Sequence, residues 1–362
     1  MTRTEGFPRR TLWHAACLAL AALALAARLL PGERTVDDAF ITYRYVENLV
    51  SGRGFVYNPG ERVLGTTTPL YTLLLAVEKG LLPGARLPAL SRTTNALAGA
   101  LSVLVLAWMG ARILARPGLG LATGLLWAVS PMAVTFAVGG MESPVYVLLL
   151  LSALATYAAG WSRWCALFCA LATLARPDAL LLVGPVFAHM AWQRRRVPWR
   201  EGALYLGILL PWVAFATIYF GSPLPHSLVA KSAAYRLQPY SALVRLIQHY
   251  ATPFFEHRLF GGGWVAVGAV LYLFLSLIGG LAMVRGLPPL NPSHELYGEV
   301  KVDAPEGGRL LPLVLYPWLY FIALSAYNPL IFRWYLVPVL PMYTLCILSG
   351  GHRLLGDLAR LA

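Results

Sequence analysis

The sequence predicts an all-α integral membrane protein, one transmembrane domain over residues 1–362 with about ten spanning helices and a large polar first loop carrying juxtamembrane helices. Three observations predict it. The 362 residues are 58% hydrophobic and only 12% charged, with a mean hydropathy of +0.63, too little charge to cover a soluble surface of that size. Apolar stretches recur along the whole chain. The net charge of +13 is concentrated in short loops, the pattern of a protein that anchors basic turns at lipid phosphates. No basic run is interleaved with aromatics on a polar segment, which argues against a nucleic-acid partner.

The expected spans fall at 11–30, 92–114, 119–138, 144–159, 164–175, 179–192, 202–220, 263–284, 310–325 and 335–349. The first follows Arg9 and Arg10 but lacks a small-x-small cleavage site, so it reads as a retained helix rather than a signal peptide. Residues 69–82 are apolar but short and carry Glu78 and Lys79, which suits an interfacial or re-entrant helix. Cys17, Cys165, Cys169 and Cys346 all lie inside apolar runs and read as packing residues, with no disulfide framework. "GLGLATG" at 118–124 resembles a nucleotide-binding loop, but it opens an apolar helix with no strand before it. Close helix packing is the better explanation. Residues 286–309 form a Pro- and Gly-rich loop.

If 69–82 does not span, the basic turns share one side: Arg3, Arg9 and Arg10, Arg112 and Arg116, Arg163, Arg194 to Arg196 with Arg200, Arg285 with Arg309, and His352 with Arg353. The positive-inside rule makes that side cytoplasmic. The remaining polar loops, 31–91, 139–143, 175–178, 220–262 and 326–335, then meet on the extracytoplasmic face. Acids, bases and one histidine from distant parts of the chain converge there, as an active site requires.

The first of these loops reads "DDAFITYRYVENLVSGRGFVYNPGERVLGTTTPLY". A helix over 37–50 places Asp37, Ile41, Arg44 and Asn48 on one stripe and Asp38, Thr42, Tyr45 and Leu49 on its neighbour. Both acids then sit at a helix start, where the dipole favours carboxylates and capping alone would explain one of them. Adjacent carboxylates at a membrane surface can divide two tasks, one accepting a proton from a hydroxyl and the other orienting it or holding a metal. A negatively charged leaving group needs cations, and Arg44, His226, Lys231 and Arg333 lie on the same face. Glu142 also fits a first-turn acid, Arg176 and Asp178 could pair with each other at a helix junction, and Trp334 and Tyr335 fit an interfacial aromatic belt.

The paired acids Asp37 and Asp38, Arg44, Gly52 and Gly54, "NPGER" at 58–62 and "TPL" at 68–70 resemble the first extracytoplasmic loop of GT-C membrane glycosyltransferases. The similarity is greatest to actinobacterial terminal arabinofuranosyltransferases that use a decaprenyl-phosphate-linked sugar. "GMES", "ARPD" and "GSPLPHSLVAK" echo further elements of that pattern. The resemblance implies an inverting transfer of a sugar, arabinofuranose among the candidates, from a polyprenyl-phosphate donor to an extracytoplasmic glycan or lipid acceptor in cell-envelope synthesis. It implies Asp37 or Asp38 as the base, and Arg44, Glu142, Arg176, Asp178, His226, Lys231 and Arg333 around the donor. It allows a divalent metal, with Asp38 and Glu142 as its ligands. Enzymes of that kind usually continue into an additional extracytoplasmic domain, whereas this sequence reaches Ala362 just after its last helix, which leaves the arabinose donor open. The alternative function is a transporter or flippase of a polyprenyl-linked sugar, which calls for charges within the helices and an internal repeat. The sequence has its ionisable residues at helix ends and no repeat of fixed period.

Overall fold

The computed structural model describes residues 6–225, 238, 240–254, 262–286 and 307–361, and among these residues the chain is helical with no strand. It runs α1 (Gly6–Leu29), α2 (Ala39–Val50), α3 (Pro69–Leu81), α4 (Leu87–Trp108, extended by a π turn at Met109–Ile113), α5 (Pro117–Val129), α6 (Pro131–Val138), α7 (Ser143–Ala158) and α8 (Ser162–Ala175). There follow α9 (Leu180–Arg194), α10 (Trp199–Phe220), α11 (Ser241–Ala251), α12 (Gly262–Arg285), α13 (Leu311–Tyr327) and α14 (Leu340–Leu361). Proline stands in the first turn of α3, α4, α5, α6, α7 and α13, where its missing N–H leaves no bond unmade.

Five described helices are long and apolar enough to cross a membrane: Thr11–Leu29, Leu87–Ile113, Trp199–Phe220, Gly263–Arg285 and Gly308–Tyr327. The α5–α6 pair, bent by 50°, raises the number to six. The chain is thus built as an integral membrane protein, but the expected ten spans are not reached by length and composition. The stretch 119–138, expected as one helix, breaks at Ser130, whose Oγ accepts from the Ala133 N–H at 3.4 Å while Pro131 cannot donate. Helices α7, α8 and α9 have 16, 14 and 15 residues. At about 1.5 Å per residue each falls short of a hydrocarbon core of about 30 Å. Fourteen of the sixteen residues of α7 are buried, so this helix is wrapped by its neighbours instead of by lipid. Helix α3, with 13 residues, is likewise short of a span, in line with an interfacial or re-entrant segment.

Close packing at the glycines of "GLGLATG" holds α5 against α4. A Cβ on Gly110 would collide with the Gly120 Cα, and one on Gly120 would come within 2.7 Å of the Leu106 carbonyl. The four cysteines are free and buried, and the Cys165 and Cys169 sulfurs lie 3.9 Å apart.

The two ends of α7 define two ends of the bundle. Beyond its C-terminus, a Cβ on Gly160 would lie 2.7 Å from Nη1 of Arg309. There too Ser162 Oγ and Arg194 Nη1 each donate to Glu201 Oε1 at 2.7 Å. Its N-terminus carries Glu142, which pairs with Arg176 at the end of α8. One end therefore brings Arg194 and Arg309 together from distant turns, and the other brings Glu142 to Arg176. A length of about 24 Å of helix separates them.

That separation predicts the outcome of single-cysteine labelling, for which the buried native thiols give little background. Asp37→Cys and Arg195→Cys, both at exposed positions, should react with a membrane-impermeant maleimide from opposite sides of sealed vesicles. Reaction of both from one side would contradict the two-ended bundle.

Candidate active site

The site is assembled around the turn "GGM" at residues 139–141, between α6 and α7. Gly140 has φ +80°, and a Cβ there would collide with the Tyr43 hydroxyl, so only glycine fits. Three helices grip this turn. From α4, Asn95 Nδ2 donates to the carbonyls of Ala137 at 3.1 Å and Met141 at 2.9 Å. From α3, the Tyr71 hydroxyl lies 3.2 Å from the Gly140 carbonyl and 3.3 Å from Asn95 Oδ1. From α2, the Tyr43 hydroxyl meets Ser91 Oγ of α4 at 2.5 Å. The Val36 N–H donates to the Gly139 carbonyl at 3.0 Å, which brings the chain just before Asp37 and Asp38 alongside the turn that leads to Glu142.

Behind this turn, Arg176 is almost wholly buried. It donates from Nε and Nη2 to the two oxygens of Asp178 at 2.9 and 3.1 Å, and from Nη1 to Glu142 Oε1 at 3.0 Å. Its guanidinium also lies over the Tyr146 and Tyr335 rings, 5.3 and 5.0 Å from their centroids. Burial disfavours its charge, but the carboxylates of Asp178 and Glu142 outweigh that and raise its pKa above the usual arginine range. The Tyr320 hydroxyl of α13 lies 3.2 Å from Asp178 Oδ2 and 2.7 Å from the Tyr335 carbonyl, which ties the last loop to the same cluster.

In front of the cluster is a cavity of about 170 Å³. It is lined by Asp38, Ile41 and Thr42 of the α2 segment, Gly65 to Thr68 before α3, Met141 and Glu142, Arg176 to Asp178, and Trp334 with Tyr335. The Tyr45 hydroxyl fixes the threonine segment, donating to the Val63 carbonyl at 2.7 Å and accepting from the Gly65 N–H at 2.8 Å. The size is below the roughly 300–1,000 Å³ typical of drug-sized ligands, so the cavity suits one small polar unit.

The structure thus brings together Asp38, Glu142, Arg176 and Asp178 from the expected residues. Asp37 is exposed and is not among the lining residues; its Oδ1 accepts the Asp38 N–H at 3.0 Å. Asp38 makes no side-chain capping bond, and its half-buried carboxylate lines the cavity. Arg44 is exposed and does not line the cavity, and its Nε donates to the Tyr57 carbonyl at 3.3 Å. Six residues on from Asp38, it lies on another side of α2. Arg333 is exposed and also outside the lining, although the next two residues belong to it. Trp334 and Tyr335, expected as interfacial anchors, instead form a wall of the cavity. Phe332 stacks on Trp334 at 4.6 Å and covers one face of its indole. His226 and Lys231 lie outside the described residues. The wall formed by Thr66, Thr67 and Thr68 was not among the expected site residues; its sequence signal was a polar row directly before Pro69 in an apolar chain.

A divalent metal does not fit this donor set. Among the described residues no group of three His, Cys, Asp or Glu side chains could hold one. Glu142 Oε1 and both oxygens of Asp178 are already bound to Arg176.

The fold is similar to that of two solved structures. Over 94% of this chain and 59% of the other, it superposes on ArnT from Cupriavidus metallidurans bound to undecaprenyl phosphate, with a TM-score of 0.61 at 19% identity. The apo oligosaccharyltransferase of Archaeoglobus fulgidus matches 99% of this chain and 52% of its own, with a TM-score of 0.56 at 16% identity. In sequence, the chain is 32% identical over 224 residues to the terminal β-(1→2)-arabinofuranosyltransferase of Mycobacterium tuberculosis, which spans 55% of this chain and 35% of that one. The chain thus covers about a third of the length of the mycobacterial protein. No family model matches it.

The grip on the 139–141 turn makes a stability prediction. Asn95→Ala removes a donor from the Met141 carbonyl and from the Ala137 carbonyl, which keeps the Gly140 N–H at 3.3 Å, and should cost about 1–3 kcal/mol. Asn95→Asp should cost at least as much, because a carboxylate accepts and cannot donate. Thermal unfolding in detergent checks both, and a neutral Asn95→Asp would show that the turn is held by other means.

Proposed function

We propose that the protein is an inverting glycosyltransferase that moves a sugar from a polyprenyl-phosphate donor to a hydroxyl of an extracytoplasmic glycan or lipid acceptor. The observation that carries this reading is the half-buried Asp38 carboxylate in a monosaccharide-sized cavity beside the Glu142–Arg176–Asp178 cluster. Asp38 accepts the acceptor's hydroxyl proton while that oxygen bonds to the anomeric carbon. The bond from the anomeric carbon to the phosphate oxygen breaks, its electron pair leaves with the polyprenyl phosphate, and the single displacement inverts the centre.

Asp38, Glu142 and Asp178 outnumber the one cation, Arg176, among the lining residues. An excess of carboxylates favours the positive charge that develops on the sugar ring in the transition state. Arg176 is committed to Glu142 and Asp178, so we assign it to holding the carboxylates instead of the phosphate. The phosphate is assigned to His226, Lys231 and Arg333, the cations that the family resemblance implies for the donor. Arg44 serves the fold of the first loop.

Several observations support a lipid-linked donor. The positive-inside pattern favours an extracytoplasmic carboxylate end, away from nucleotide sugars. The ArnT relative in fold was solved with undecaprenyl phosphate. Arabinofuranose is the sugar suggested by the mycobacterial relative. Translocation of the donor has less support: the buried Arg28 of α1 donates to the Ala24 and Ala128 carbonyls at 3.0 and 2.9 Å, a helix-capping task.

With a polyprenyl-phosphate sugar and a glycan acceptor in proteoliposomes, Asp38→Asn should lower turnover about a hundredfold or more, about 3 kcal/mol in the barrier. Asp37→Asn should stay within a few-fold of the parent. Equal transfer by Asp38→Asn and the parent removes Asp38 as the base.

A further inference from the structure

A second cavity, of about 730 Å³, lies at the arginine end of the bundle, between α1, α4, α7 and α8. Its walls include Trp13, Trp108, Trp161 and Trp164, with Leu101 and Ser152 farther along the helices. Trp108 and Trp161 are in contact at 5.8 Å, and Trp161 and Trp164 are more than half exposed. Along α4 the groove extends from Leu101 to Trp108, about 10 Å at 1.5 Å per residue. That depth is most of one leaflet's hydrocarbon, about 15 Å, with the indoles at the headgroup level where tryptophan concentrates.

Two cations lie close in sequence to the indoles at this end. Arg112 follows Trp108 by four residues in the π turn, and Arg163 directly precedes Trp164. Both are solvent-accessible, and neither makes an ion pair or hydrogen bond among the described residues. Arg194, at the same end, is instead consumed by Glu201. No carboxylate lines the groove. An apolar slot most of one leaflet deep, lined by four indoles and flanked in sequence by two unpaired guanidiniums, complements a single ligand chemistry: an acyl chain below a phosphate.

We propose that this groove binds an anionic phospholipid, one acyl chain lying between α1, α4, α7 and α8 and the phosphate held by Arg112 and Arg163. The site is separate from the candidate active site, which lies at the far end of α7, and the proposal does not rest on sugar transfer.

The tryptophans provide the readout. The protein in phosphatidylcholine nanodiscs is doped with chain-brominated phosphatidylglycerol or, at the same level, chain-brominated phosphatidylcholine, and fluorescence quenching is compared. Phosphatidylglycerol should quench several-fold more. The double variant Arg112→Gln/Arg163→Gln should lose that preference. So should Ser152→Phe, which fills the groove but keeps both cations and therefore any loose attraction to the basic surface. Equal quenching by the two lipids in the parent overturns the proposal, as does a preference that survives in either variant.

Discussion

The site depends on one buried cation. Arg176 binds both oxygens of Asp178 and one oxygen of Glu142, and these acids come from different turns, before α7 and after α8. A guanidinium can do this because its planar fork of donors matches carboxylates in fixed geometry and stays charged when buried. The Tyr335 ring over the same guanidinium brings in the loop before α14. Three parts of the chain that share no local sequence signal are thereby drawn into one wall. The opposite wall, with Asp38 and the threonine row, is fixed by tyrosine hydroxyls and backbone bonds. One half of the cavity is held by charge and the other by neutral hydrogen bonds.

This division explains what was legible from the residues alone. Asp38, Glu142, Arg176 and Asp178 each interrupt apolar runs, and in a bilayer such interruptions fall at helix ends. Their convergence followed once the short basic loops were assigned to one side. The rotation of α2 was not legible. Its phase is set by Tyr43 against Ser91 and Tyr45 against Val63, contacts 48 and 18 residues apart. Two adjacent aspartates cannot be ranked without that phase, nor can Arg44 be seen to turn away. Trp334 and Tyr335 fit an aromatic belt and a cavity wall equally well by sequence, and only the contact with Arg176 distinguishes the two. The break at Ser130 was available in the Ser-Pro pair but was masked by the apolar run around it.

The short central helices also have a functional logic. A helix of 16 residues buried on nearly all sides cannot tilt or slide without disturbing its neighbours, so α7 is a rigid post. It carries Glu142 at one end and contacts the arginine turns at the other. The longer apolar helices α1, α10 and α12 are by contrast little buried within the protein. On the proposed function, a polyprenyl-linked donor would keep its tail in the bilayer while its sugar enters the cavity.

The most direct test concerns the Arg176 cluster itself, by thermal unfolding of the purified protein. Arg176→Gln leaves Glu142 and Asp178 without their counter-ion and should cost about 3–5 kcal/mol. Neutralising all three together, as Arg176→Gln, Glu142→Gln and Asp178→Asn, should restore most of that stability, because no charge is then stranded. A single Arg176→Gln variant as stable as the parent would contradict the buried cation as the element that draws the site together.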